Sequence, residues 1–367
     1  MTFHNFQDAK AAWAFDAARF AEAGAVLPDV MTYVTEEAKR DFTLAIDAQP
    51  TLSTSPNGGI PAFLTTMVDP QVFKILFAPT KAAEILGEVR KGSWLDQTAM
   101  FPVVEHDGEV SSYGDHSENG RSGANTAFPQ RQSYLYQTIV EYGELELERA
   151  GLAKINFVSE LDAAAANNMN RFQNLSYFFG VSGLENYGIL NDPNLSASLT
   201  PSTKASPASG NTWFNNNAPN CTANEVYNDI LALFTQLVAQ TGGLVDASTP
   251  MVLAMSPACE VALSFTNSFG ITAEKILKQS YPNIKVVTAV QYGVKSTSNP
   301  NGVVGGNLMQ LIATSVEGQE TGYCAFNEKM RAHSIIRQLS SYRQKRTGGT
   351  WGAVIRQPMA IASMLGI

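Results

Sequence analysis

The sequence predicts an α+β protein, and three observations carry that prediction. One long helical stripe runs through residues 155–179, strands and helices alternate over 225–325, and a glycine-dotted β excursion occupies about 95–140. With 367 residues the chain has room for about two domains, or for one large domain with excursions. Apolar residues make up 44%, enough for a sizeable core, whereas charged residues are only 16% against the usual ~25%. So little charge fits a surface covered in part by other chains, or an unusually large core. The 33 acids and 25 bases leave a net charge of -8, which argues against a general nucleic-acid-coating protein but not against a local basic patch. Cys221, Cys259 and Cys324 are far apart and lack zinc spacing, which predicts reduced thiols in a reducing compartment. Residues 1–19 lack the apolar stretch of a signal peptide, and no window is apolar enough for a membrane span, so neither secretion nor membrane insertion is expected.

Residues 1 to about 50 read as an arm with short helices, one stopped by Gly24 and Pro28 and another running from Val30 to Ile46. The arm is either a loose terminus or a segment that orders against a neighbouring subunit. Asp69-Pro70 and Thr80-Lys81 are helix starts. The chain turns β-like at Trp94–Val104 and again at Gln132–Val140. Between them, Glu105–Arg131 holds several glycines and few large apolar side chains, so its tip cannot bury itself in a core of its own. Ile155, Val158, Leu161, Ala165, Met169, Phe172, Leu175 and Phe179 then recur every three or four residues, and Gly180 stops the helix. At 1.5 Å per residue this predicts a rod of about 37 Å, which needs something long to lie against.

Residues 191–224, rich in Asn, Ser and Pro, read as a surface insertion or linker. Thr222-x-x-Glu225 is a capping box for a helix carrying Val226, Ile230, Phe234 and Leu237 up to Gly242. Met251–Met255 reads as a buried strand, followed by a helix opened by Ser256-Pro257 and another from Thr272 through Gln279. Ile284–Val290 and Leu308–Thr314 follow as strands. The tail reads as a strand at Ala332–Gln338, a turn at Gly348-Gly349 and a strand at Ala353–Gln357.

No catalytic, cofactor or metal site emerges from the motifs. Gly180-Val181-Ser182-Gly183-Leu184 lacks the last glycine of a nucleophile elbow and ends a helix, where the elbow needs a strand-to-helix turn. His4, His106, His116 and His333 form no metal-binding pair. His106, Asp107, Glu109, Asp115, His116 and Glu118, with Arg121, sit in the excursion without calcium-loop spacing, so a solvated hairpin tip is preferred over a specific cation site, with adventitious divalent binding or pairing with arginines on another chain left open. Cys259, on an apolar segment without a neighbouring histidine, reads as a buried structural thiol. Lys329, Arg331, Arg337, Arg343, Lys345, Arg346 and Arg356 make the C-terminal stretch basic, opposed locally only by Glu328. They fit either phosphate or carboxylates on adjacent copies, and the second reading is preferred.

The parts, in this order, resemble the major capsid proteins of tailed bacteriophages, with the Hong Kong phage capsid fold. Phe179-Gly180 through Gly188-Ile189-Leu190-Asn191-Asp192-Pro193 is similar to a turn that follows the spine helix in phage heads. Gly348-Gly349-Thr350-Trp351-Gly352-Ala353-Val354-Ile355-Arg356-Gln357-Pro358 resembles the closing strand of one subgroup. The resemblance implies an N-terminal arm at 1–60 and a peripheral domain at 61–189 that includes the extended loop (95–140) and the spine helix (155–179). It further implies an inserted α/β axial domain at 190–325 and return strands to the peripheral domain at 326–367. It implies no catalytic residues and no cofactor. Copies would assemble as hexamers and pentamers of an icosahedral shell enclosing double-stranded DNA, without sequence-specific binding. Scaffold, portal and decoration proteins are candidate partners, the virion is the expected location, and the host cytoplasm the place of synthesis. The loop-tip residues would then serve assembly, and the seven bases either assembly or DNA contact. The alternatives are a nanocompartment shell of the same fold and, less favoured, an α/β hydrolase with an unrecognised site. A tail or decoration protein is disfavoured by the long helix and the inserted domain.

Overall fold

The computed structural model describes residues 80–153, 156–205, 210–215 and 218–367. The arm expected at 1–60 and the helix start at Asp69-Pro70 lie outside these residues, as does Ile155. The described residues belong to one compact unit, Ile75–Ile367.

Helix α1 (Ala82–Leu86) opens just after Lys81 and leads into strand β1 (Glu88–Arg90). Strands β2 (Thr98–Met100) and β3 (Val103–Gly108) run outward, and β4 (Ser122–Ala127) and β5 (Gln130–Gln132) run back, pairing β3 with β4 and β2 with β5. Next come β6 (Tyr134–Gly143), α2 (Glu144–Leu152) and the long helix α3 (Phe157–Phe179). A two-stranded ribbon, β7 (Phe214–Asn215) with β8 (Ala218–Pro219), precedes α4 (Ala223–Gln240). Then follow β9 (Met251–Met255), α5 (Pro257–Glu260), α6 (Ala273–Ser280), β10 (Ile284–Thr288) and β11 (Leu308–Ala313). A second ribbon, β12 (Ser315–Val316) with β13 (Gln319–Glu320), leads to β14 (Gly322–Ala332), β15 (Ile336–Arg337), β16 (Ser341–Ile355) and β17 (Ile361–Leu365).

Two sheets organise these elements. One has the order β1-β14-β16-β15 with β6 also paired to β16; the other has the order β10-β9-β11-β17. Strand β9 is buried on both faces, as its unbroken apolar run demands. Met251, Leu253 and Met255 belong to a core with Val226, Ile230, Leu233 and Leu277 of α4 and α6. The alternate residues Val252 and Ala254 share a second core with Tyr177 and Phe178 of α3 and with Ile355 of β16. The end of the long helix is thus clamped between the two sheets.

Several expectations need correction. Gly348 and Gly349 lie inside β16, a single strand of 15 residues, and make no turn. They are glycines because the space is taken: a Cβ on Gly348 would lie 2.7 Å from Lys329 O, and one on Gly349 only 1.9 Å from Asn327 Oδ1. The strand expected at Ala332–Gln338 is instead the end of β14, and only Ile336–Arg337 pairs beyond it. The return to the first sheet stops at Ile355. After a 3-10 turn at Pro358–Ala360, residues Ile361–Leu365 join β11 of the other sheet, because this apolar run finds burial there. The helix at Ser256-Pro257 lasts four residues before tightening into a 3-10 turn over Val261–Ser264. Residues 191–224 are no mere surface linker, since Asp192, Lys204, Trp213 and Asn220 are buried.

The apolar stripe also misplaces the helix's deepest face. Ala165 and Met169 are buried, but Phe172 is 36% exposed, and the burial shifts to Gln173, Asn174, Ser176, Tyr177 and Phe178. Two of the polar members are met from distant segments, Asn174 Oδ1 accepting from Ala82 N at 3.1 Å and Ser176 Oγ lying 3.0 Å from Thr350 Oγ1, while Gln173 Nε2 donates to Tyr177 Oη one turn on at 2.6 Å. Gly180 ends the helix with φ 65°, where a Cβ would lie 2.1 Å from Asn186 O.

Candidate assembly surfaces

The excursion places its side chains in solvent. Every residue of β3 and β4 is exposed, and beyond them Val110 and Tyr113 are 99% and 92% exposed. His106 and Asp107 lie on β3, Arg121 just before β4, and Glu109, Asp115, His116 and Glu118 in the connecting tip, all exposed. Tyr113 Oη donates to Asp115 Oδ1 at 2.8 Å. Among the described residues, no group of three or more His, Cys, Asp or Glu side chains is arranged to hold a metal ion. A two-stranded ribbon with no buried face is marginal alone in water, so this one suits a surface supplied from elsewhere.

The base of the excursion, in contrast, is tied down. Arg131, on β5, donates to the buried Asp192 Oδ2 at 2.9 Å and lies over the Tyr187 ring, 4.8 Å from its centroid. Asn186 Nδ2 bridges to Gln132 O and Thr350 O at 3.0 and 3.2 Å. The turn after the long helix is therefore the socket for the loop. Gly188 makes this possible by close approach, since a Cβ there would lie 2.2 Å from Phe178 C. The partner of Asp192 is not evident from the sequence; its signal is an acid set among Ile189, Leu190 and Pro193, which burial obliges to find a cation.

The seven C-terminal bases separate into two groups. Arg343 pairs with Glu141 at 2.7 Å and Arg337 with Glu144 at 2.9 Å, across neighbouring strands or their ends. Arg346, its side chain 9% exposed, pairs with Asp162 of the long helix at 2.5 Å, and Lys329 with Glu88. These four find within their own chain the carboxylates expected from adjacent copies. The sequence missed this because the partners lie about 180–240 residues away along the chain. Arg331 and Arg356 instead lie over the rings of Trp94 and Tyr323, and Lys345 is exposed.

The Lys204–Asp229 pair carries no motif that marks it in the sequence. Both side chains are buried, 2.5 Å apart, and Asp229 also accepts from Trp213 Nε1 at 2.7 Å and Ser202 Oγ at 2.7 Å. This group pins the 191–224 stretch onto α4. All three cysteines are free and buried, and burial pushes the Cys221 and Cys259 thiols up to about 11 and Cys324 still higher. A thiol so reluctant to ionise is a poor nucleophile, in keeping with the structural reading of Cys259. An open cleft of about 470 Å³ lies beside the last turns of α3, bounded by Tyr134, Phe172, Leu175, Phe179 and Lys295. Ser182 borders it on a tight turn in which Val181 bridges to Asn186.

Comparison with known proteins places this architecture. The model of one family, described as Pa193 gp26 major capsid protein, matches residues 51–366. Among solved structures, the capsid of Myoviridae phage XM1 is similar with a TM-score of 0.67 at 16% identity, covering 85% of this chain and 100% of that one. A chain of Mycobacterium phage Ogopogo matches with a TM-score of 0.53 at 9% identity, covering 82% of this chain and 96% of that one. The capsid of a native GTA particle matches with a TM-score of 0.53 at 10% identity, covering 82% and 95%. At such identities the likeness to these structures is one of fold. Among curated proteins, no relative matches the chain.

Proposed function

Since the chain belongs to the Pa193 gp26 major capsid protein family, and so is a phage capsid shell protein, we propose that its copies associate as hexamers and pentamers of a closed icosahedral shell around double-stranded DNA. The observation that carries this reading is the excursion at 98–132, anchored at its base by the Arg131–Asp192 pair and unburied from Val103 to Ala127. Laid over a neighbour, it buries apolar and polar surface that its own subunit leaves in water, and repetition around a ring closes the assembly. The net charge of -8 favours DNA that is enclosed without being held tightly, because an acidic wall gives phosphates little to bind. On this reading the subunit is made in the host cytoplasm, ends in the virion, and meets scaffold, portal and decoration proteins there.

Expression of the full chain followed by sedimentation and negative-stain electron microscopy tests the proposal. Closed shells with five- and six-fold clusters are expected, and a nuclease-protected DNA content when the shells come from an infected host. Subunits that stay monomeric at all concentrations would overturn it. Shells that enclose protein cargo in place of DNA would favour the nanocompartment reading.

A further inference from the structure

The edge of the first sheet carries cations that no carboxylate among the described residues matches. Among the described residues β1 is an edge strand, and Arg90 and Lys91 stand at its end, both exposed. Lys91 Nζ lies 5.5 Å and Arg356 Cζ 4.9 Å from the centroid of the same Tyr323 ring. Arg331 Cζ lies 5.8 Å from the Trp94 ring, three residues beyond Lys91. The mounts are firm: Trp351 Nε1 donates to Lys91 O at 3.0 Å, and Arg90 Nε donates to Asn327 O at 3.1 Å. Among the described residues, none of these four cations is paired with a carboxylate, unlike Lys329, Arg337, Arg343 and Arg346. Asp96, on the adjoining turn, is engaged by Ser93 N at 2.6 Å.

The complementary charge is on the same chain but far along it. Residues 105–121 hold Glu105, Asp107, Glu109, Asp115 and Glu118 against one arginine, Arg121. The loop starts beside the basic edge, since Ala99 and Phe101 pack with Tyr323 and Trp351. The six-residue ladder of β3 and β4 then carries the tip about 20 Å away. A loop tied at its base cannot fold its tip back onto the edge from which it springs. We propose that the acidic tip of one copy docks on the Arg90, Lys91, Arg331 and Arg356 edge of a second copy, so that the receiving surface for the loop is electrostatic and framed by Tyr323 and Trp94. The aromatic platforms hold the cations in place before contact, which lowers the ordering cost of binding, and the opposed charges fix register between copies.

This contact rests on the shell reading, which wild-type assembly tests by itself; the variants' departure from wild type tests the contact. The patch variant Lys91→Glu, Arg331→Glu, Arg356→Glu is expected to keep the wild-type circular dichroism and to form at least ~10-fold fewer shells by sedimentation. The tip variant Asp107→Lys, Glu109→Lys, Asp115→Lys, Glu118→Lys should fail in the same way, and combining the two sets should restore assembly. If charge reversal impairs folding, the neutral set Lys91→Gln, Arg331→Gln, Arg356→Gln should still lower shell yield. Shells at wild-type yield from the patch variant would overturn the proposal. So would normal shells that have lost only their protected DNA, which would turn this edge toward the nucleic acid.

Discussion

Asn327 occupies the space where any residue other than glycine at position 349 would carry its Cβ, 1.9 Å from Oδ1. That amide is not free to move: its Oδ1 accepts from Glu328 N at 3.0 Å and its Nδ2 donates to Ser133 Oγ at 2.9 Å. Gly349→Ala should therefore break both bonds or bend β16, costing about 2–4 kcal/mol, read as a lower thermal midpoint; an unchanged midpoint would refute the packing argument. The Lys204–Asp229 pair makes an ordering prediction. Asp229→Ala strands a buried ammonium and should cost about 3–5 kcal/mol in a denaturant titration. Lys204→Met leaves Asp229 its donors from Ser202 and Trp213 and should cost less. The reverse order would show that the cation is not held by this carboxylate. At this scale the sequence was legible where chemistry is local. The Thr222–Glu225 capping box and the Gly180 stop stand where the spacing puts them. Gly348-Gly349 was not legible, because a glycine demanded by a turn and one demanded by a neighbour on the adjacent strand, Lys329 or Asn327, read alike.

The outer part of the excursion, residues 107–123, contributes exposed surface and no core, so removing Asp107–Gly123 should leave the subunit folded and abolish shell formation. Wild-type circular dichroism together with absent shells is expected, while shells at normal yield would detach this loop from assembly. The long helix teaches the opposite lesson about its element. Its existence and end were plain from the period of its apolar residues, but its buried face was only half so. Over the middle turns, Ala165 and Met169 follow the stripe. Over the last turns, Asn174 and Ser176 go inside because Ala82 N and Thr350 Oγ1 meet them there, and a polar residue announces no such partner in advance. Phe172 stays at the rim of the open cleft, its ring 4.8 Å from that of Tyr136. The basic stretch misled for the same reason: its charges were visible, but its partners lay on β1, β6, α2 and α3.

For the whole molecule, alkaline pH should be a weak point. The Cys221 and Cys259 thiols ordinarily ionise near pH 9, and in the folded chain near 11. Above pH 9 the unfolded chain sheds protons that the folded chain retains, so stability is intact below pH 9 and declines as pH rises toward 11. Thermal midpoints across pH 8–11 should fall over that interval, and Cys221→Ser or Cys259→Ala should flatten the fall; a flat wild-type profile would exclude these thiols.

The order of strands along the chain has a consequence for how the subunit comes into being. Strands β9, β10 and β11 are complete by residue 313, yet their sheet takes its last strand from Ile361–Leu365, after β14 and β16 of the other sheet have been laid down. During synthesis β11 waits with an open apolar edge while more than half of the first sheet is still being made. Neither sheet can finish before the other has begun, so partial products are sticky and local nucleation cannot complete either half. Refolding should accordingly be slow and lose yield to aggregation as protein concentration rises, and a recovered fraction independent of concentration would refute this. A chain that waits so long with its edge unguarded has reason to rely on a chaperone before it ever meets a second copy of itself.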